Sequence, residues 1–286
     1  MTVRTGRSMG YVPVARLRSQ GMSVARSSHM KRDAWFLATL GVLFAAAVTA
    51  TISLGMSMPM QDMTMPGGWT MSMAWMRMPG QTWSGAAVSF VGMWVVMTAA
   101  MMLPSLTPML RRYREAVGSA GETQLNRLTA TVGVGYFFVW TVFGIAAFAL
   151  GVAMTSVAMH LPTLSRAVPL AAGTVVLLAG ALQFTAWKAQ RLALCRQTPA
   201  CGCKLRADAG TAWRHGLRLG LHCSYCCAGL TAILLVIGVM DLRAMAIVTV
   251  AITAERLAPA GERVARAIGI VTVAAGLFLV VRGAGL

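Results

Sequence analysis

The chain has 286 residues, of which 57% are hydrophobic and only 12% charged. A soluble domain carries roughly twice that share of charge, so a water-soluble globular fold is excluded as the simplest reading. The formal net charge of +17 raises nucleic-acid binding, but no aromatic residues alternate with the basic ones as a stacking surface would require.

In chain order, residues 1–33 read as a disordered basic tail: residues 1–30 hold five Arg and no acid. Met22 and Met30 are alternative starts, and no cleavable signal peptide is evident because the first apolar run is late and long. Apolar stretches then recur at approximately Ala34–Leu54, Ala86–Leu110, Thr131–Ala153, Val168–Trp187, Gly216–Met240, Ala244–Leu257 and Ala267–Val281. Several approach the ~20 residues that cross a bilayer. The expectation is an all-α, polytopic transmembrane helix bundle over residues 34–286, with about seven spans and a cytoplasmic N-terminus. Because the sixth stretch is short and carries Glu255, a six-span alternative is open. Seven spans place 21 of the 25 Lys and Arg on the N-terminal side of the membrane. That is the positive-inside bias, and it accounts for the charge without nucleic acid. The expected location is the cell inner (plasma) membrane, with the lipid bilayer as the principal partner and the oligomeric state open.

Span 1 leads into an outer loop, residues 56–82, with nine Met. Met56, Met58, Met60, Met63 and Met65 crowd its first part in M-x-M and M-x-x-M spacings. Thioether sulfurs in such numbers suit Cu(I), although flexible Met is also a common apolar filler. Pro59, Pro66, Gly67, Gly68, Pro79 and Gly80 break regular structure there. Span 2 carries Met93, Met97 and Met101 at i+4 spacing, then Met102, and ends in Pro104 and Pro108 before Arg111. Such a stripe taken alone is more often packing than a ligand set. Pro104 and Pro108 should loosen the helix and free backbone carbonyls.

A basic inner loop, residues 188–215, contains Cys195, Cys201 and Cys203. These thiols could receive or hand over a soft metal, or be ordinary cytosolic cysteines. Span 5 opens with His222-Cys223-Ser224-Tyr225-Cys226-Cys227. Thiols at i, i+3 and i+4 share a helix face. Polar groups inside an apolar span are costly and usually functional. Soft thiolate and imidazole ligands favour Cu(I) most, with zinc as the second choice. Cys223 and Cys226 also form a C-x-x-C near a helix start, where thiols can be redox-active. Glu255 is a candidate ligand or proton carrier, with an interfacial pairing to Arg256 as the default.

Spans 2, 5 and 6 therefore could bring Met97, Met101, Met102, His222, Cys223, Cys226, Cys227 and Glu255 to one level. No hydrolytic triad, paired carboxylate or phosphate-cradling loop is visible, so an enzyme is the less favoured class. The reading from residues is a soft-metal-handling membrane protein for uptake, transfer or metalloenzyme loading, with a metallochaperone or metalloenzyme as partner. The alternatives are a membrane thiol-disulfide oxidoreductase using Cys223 and Cys226, or a non-catalytic assembly subunit.

Residues 86–283 also resemble an uncharacterised bacterial family of predicted metal-binding integral membrane proteins. The matching pieces are Met97 and Ala100-Met101-Met102-Leu103-Pro104-Ser105 with Pro108, and Gln183-Phe184-Thr185 with Lys188 and Cys195-Arg196. They continue with His215-Gly216, the three thiols Cys223, Cys226 and Cys227, Gly238-Val239-Met240, and Glu255-Arg256. The family pattern Cys-x-Gly-Cys-Cys-Trp is departed from at Tyr225 and Ala228. Its Cys-Leu-x-x-Cys-Arg loses the first Cys to Arg191, and the Lys after the Glu is Arg256. The resemblance implies metal binding in a membrane and keeps the clustered thiols intact.

Overall fold

The structure is a computed structural model that describes residues 14–57, 63–64, 70–71, 75, 77, 80–118, 121–196, 206–239 and 241–284. Side chains are described within these except at 14–33, 57, 63–64, 70–71, 162–166 and 195–196. The chain divides into two units, residues 1–43 and 44–286. In the first, helix α1 (Val14–Ser57) already runs from Val14. Helix thus begins ahead of Lys31, inside the segment whose composition suggested disorder; its Ala, Leu and Arg are all good helix formers.

The described residues of the second unit are almost entirely helical. One short strand pair, β1 (Met63–Thr64) and β2 (Thr70–Met71), occurs among the described residues and leaves the all-α class as expected. It is antiparallel, with Met63 opposite Met71, and the turn-forming Pro66, Gly67 and Gly68 stand between the strands in sequence. The helices that follow are α2 (Trp83–Val117), α3 (Glu122–His160), α4 (Pro162–Leu182), α5 (Ala186–Arg196), α6 (Ala209–Ile237), α7 (Leu242–Leu257) and α8 (Gly261–Gly283). Thr82 caps α2 by accepting a hydrogen bond from the Gly85 amide. Asp208 caps α6 through the Thr211 amide, and Asp241 caps α7 through Arg243 and Ala244. Asp208 is exposed, and the hydrogen bonds from Thr211 hold its carboxyl below the usual range.

Among the described residues, five helices are long and apolar enough to cross a membrane: Ala34–Met56 within α1, α2, α3, α6 and α8. A sixth crossing exists if Ala167–Leu182 and Ala186–Leu194, bent by 67° at their junction, form one broken span. The expected fourth span is that broken pair, and the expected sixth is α7. With 16 residues, α7 rises about 24 Å, short of the ~30 Å hydrocarbon layer. Among the described residues, five or six spans thus pass by length and composition, which agrees with the six-span alternative.

Two further elements differ from the sequence reading. Helix α2 continues through Pro104 and Pro108 to Val117. The Ser105 and Thr107 hydroxyls donate to the Met102 and Leu103 carbonyls in this stretch. Helix α6 starts seven residues before Gly216. The cysteine cluster is therefore near the middle of a 29-residue helix, rather than at its start.

Close packing places α6. Gly216 lies against the Val132 carbonyl of α3, and a Cβ at Gly220 would stand 2.9 Å from the Tyr136 carbonyl oxygen. Glycine alone permits this approach, and it brings Tyr136 level with Cys223. Helices α4 and α8 meet in a similar seam, where a Cβ at Gly276 would be 2.6 Å from the Leu177 nitrogen. Helices α4, α5 and α7 also pack on α6, and α2 packs on α3 and α7.

Candidate metal centre

Cys223, Cys226 and Cys227 are all buried thiols. Cys223 and Cys227, one helical turn apart, hold their sulfurs 3.9 Å from each other. The Met102 thioether of α2 is 3.9 Å from the Cys223 sulfur. Three sulfurs from two helices thus form a compact cluster in the protein interior.

Two donors converge on Cys223. The Tyr136 hydroxyl of α3 donates to its sulfur at 2.9 Å. Arg256 Nη1 donates to the same sulfur at 3.1 Å and to Ser105 Oγ at 2.8 Å. Arg256 Nη2 reaches the Met109 thioether at 3.3 Å. A guanidinium only donates, so the Cys223 sulfur acts as the acceptor in this arrangement. The positive charge sits where it can offset a negatively charged sulfur site.

A second polar set adjoins the first. Lys188 Nζ of α5 pairs with Glu255 Oε2 at 2.8 Å and donates to the Cys226 carbonyl at 2.7 Å. Glu255 is 2% exposed and Lys188 5%. The bend between α4 and α5 makes this pairing geometrically accessible. Thr185 Oγ1 caps α5 by accepting from the Lys188 amide, and the side chain of Lys188 then projects to α6 and α7. Glu255 thus pairs with Lys188 in the interior, where the default expectation is an interfacial pairing with Arg256. It lies too deep to reach water, and the carboxylate and the guanidinium point to different neighbours.

The remaining candidate residues fall in several places. His222 is half-buried and, one residue from Cys223, is turned about 100° around the helix. Met101 and Met97 are buried on α2, and of the pair Met101–Met102 it is Met102 that reaches Cys223. Met97 lines a small cavity with Met93 and Met245. Met56 is 78% exposed near the end of α1, and Met63 lies in β1. Cys195 belongs to α5. Met58, Met60, Met65, Cys201 and Cys203 lie outside the described residues.

Among the described residues, no three of His, Cys, Asp and Glu gather in a metal-holding group. The centre is instead a mixed set of thiols and a thioether. Such donors suit a soft monovalent ion, which accepts few ligands, better than tetrahedral zinc, which takes four. Tyr136, Ser105 and Met109 were not singled out by sequence for this site. The one usable signal was Tyr136, the sole tyrosine in a long apolar helix, where a hydroxyl needs a partner.

Fold and site together describe a helical bundle with soft donors in a dry interior. A family model described as PpoB2, copper chaperone, matches residues 91–279. The match spans well over half of the chain, from α2 through α8, so the chain belongs to this copper chaperone family. Copper handling in general follows from that membership. No curated protein and no solved structure was found to match.

Proposed function

We propose that the protein is an integral membrane Cu(I) chaperone that holds its cargo at Cys223, Cys227 and Met102. The observation that carries this reading is the meeting of the three sulfurs beside the Arg256 guanidinium. A Cu(I) ion held by two thiolates bears one net negative charge. Arg256, 3.1 Å from the Cys223 sulfur, offsets that charge in an interior where an unpaired one is strongly disfavoured. Cys226 and Glu255 stand beside this set as reserve donors. His222 and Met101 occupy neighbouring positions on the same two helices.

In this reading the Met-rich segment 56–82, with Met56, Met58, Met60, Met63 and Met65, captures copper at the outer face of a bacterial inner membrane. Cys195, Cys201 and Cys203 offer thiols for exchange on the other side. The receiving partner is a metallochaperone or a metalloenzyme awaiting copper. Five or six apolar helices support placement in the bilayer. Copper passes as a closed-shell cation, so no electron is transferred.

The test is the copper content of the purified protein in detergent under reducing conditions. Wild type should retain about one tightly held Cu(I), and Cys223→Ser/Cys227→Ser should retain close to none of it. Wild type without copper after loading would overturn the proposal.

A further inference from the structure

A small cavity lies away from the thiol cluster, on the far part of α7. Its lining includes Thr51 and Gly55 of α1, Met93 and Met97 of α2, Val239, and Met245 of α7. Its free space is about that of one water or one small ion. Its donor chemistry is narrow. The Thr51 hydroxyl donates to the Ala47 carbonyl at 2.8 Å and keeps its lone pairs, so one hydroxyl oxygen and three thioethers are the side-chain donors among the lining. A water needs two to four polar partners and would be poorly held. Thioethers are neutral and soft, so a hard or divalent cation would be poorly held as well.

Methionine normally closes gaps of this size, because three rotatable bonds let it fill irregular space. Here three methionines line a gap instead. Met93, Met97 and Met245 are buried, as are Met101 and Met102 further along α2. Met93, Met97 and Met101 follow one face of α2, each about 6 Å along the axis from the last. The row leads from the cavity to Met102, whose sulfur touches Cys223. At its other end the cavity meets Gly55, the residue before Met56 and the Met-rich segment.

The geometry points to a second, weaker Cu(I) site formed by the thioethers of Met93, Met97 and Met245, a staging position between the Met-rich segment and the Cys223–Cys227 pair. It rests on the reading of the protein as a Cu(I) chaperone and adds the route of entry. Three neutral ligands leave the ion its full positive charge, so it is held loosely. Two thiolates beside Arg256 hold it more tightly, which makes transfer downhill. The ion moves as Cu⁺ throughout, exchanging thioether for thiolate ligands without change of oxidation state.

The test uses Ag⁺, a redox-inert stand-in for Cu(I), titrated into the full chain in detergent with bound silver counted after gel filtration. Met93→Leu/Met97→Leu/Met245→Leu should bind about one silver fewer per chain than wild type while keeping the tightly held ion. Cys223→Ser/Cys227→Ser should lose the tight ion and keep the weak one. Met-to-Leu changes nearly conserve volume, and a thermal melt checks folding. Should the triple variant misfold, Met97→Leu alone should weaken the looser class by about tenfold. An unchanged silver count and affinity in the methionine variants, with the tight ion present in wild type, would overturn the staging site and leave the chaperone reading standing. A wild type that binds no silver or copper would overturn both.

Discussion

The seam between α4 and α8 and the junction of α2, α3, α5, α6 and α7 are both tightly packed, yet they are built from opposite materials. At the seam, Gly276 abuts the Leu177 backbone, and the contact is made of small and aliphatic groups. At the junction, Tyr136, Lys188, Cys223, Cys226, Cys227, Glu255 and Arg256 are buried together. Packing of the first kind satisfies a helix bundle by itself. Packing of the second kind carries desolvation penalties that a merely structural contact could avoid with apolar residues. The proposed copper site lies among these polar groups, away from the α4–α8 seam.

Breaking each region separately should separate stability from copper binding. The largest stability loss is expected at the ion pair. Lys188→Met or Glu255→Gln leaves a buried group without its partner and should destabilise by about 3–5 kcal/mol. The double change Lys188→Met/Glu255→Met should be milder than the Lys188 single, and thermal unfolding of the three variants in detergent checks this.

The seam comes next. Gly276→Val forces a side chain into the Leu177 backbone and should destabilise by about 1–3 kcal/mol. Once folded at low temperature, it should bind copper like wild type, because the sulfur cluster is on other helices. A parallel loss of copper would show that the two regions are not separable. Tyr136→Phe reverses the pattern. It removes the hydroxyl 2.9 Å from Cys223 but little volume, so stability should change by no more than about 1 kcal/mol. Copper affinity should fall about tenfold, as outer-shell changes commonly do, and a chelator competition measures it.

The smallest effect concerns the cap of α6. The Asp208 carboxyl is held below its usual range by hydrogen bonds from Thr211. Its contribution is thus present above the unfolded-state carboxylate range and lost as pH falls through the lowered folded value. Asp208→Asn should flatten that acid-side loss slightly, leaving copper binding at neutral pH unchanged. Melting curves of wild type and variant between neutral and strongly acidic pH compare the slopes.

How much of this could be read beforehand depends on whether the signal is local. The apolar stretches, the basic loops and the i, i+4 thiols are local patterns, so the helical class and the Cys223–Cys227 face followed from the sequence. The shortness of α7 was legible too and left six spans open, whereas the 67° bend after Leu182 was not, because hydropathy registers apolar length without direction. Glu255 is open in sequence to a ligand or proton-carrying role, with an interfacial pairing to Arg256 as the default because a helix end can reach water. Adjacent residues on a helix point about 100° apart, and each found a partner on another element, Lys188 in one case and Cys223 in the other.

The sequence by itself determined that the chain forms apolar helices, that soft sulfur donors are concentrated on α2 and α6, and that its charges are kept mostly between the apolar stretches. These follow from composition and from the 3.6-residue repeat, which are properties of neighbouring positions. Only the tertiary structure decided that Met102 rather than Met101 meets Cys223, that Tyr136 and Arg256 both donate to that sulfur, and that Lys188 neutralises Glu255. Each of these depends on helix register, set by contacts such as Gly220 against Tyr136. A shift of one residue along either helix would turn the same side chain about 100° away.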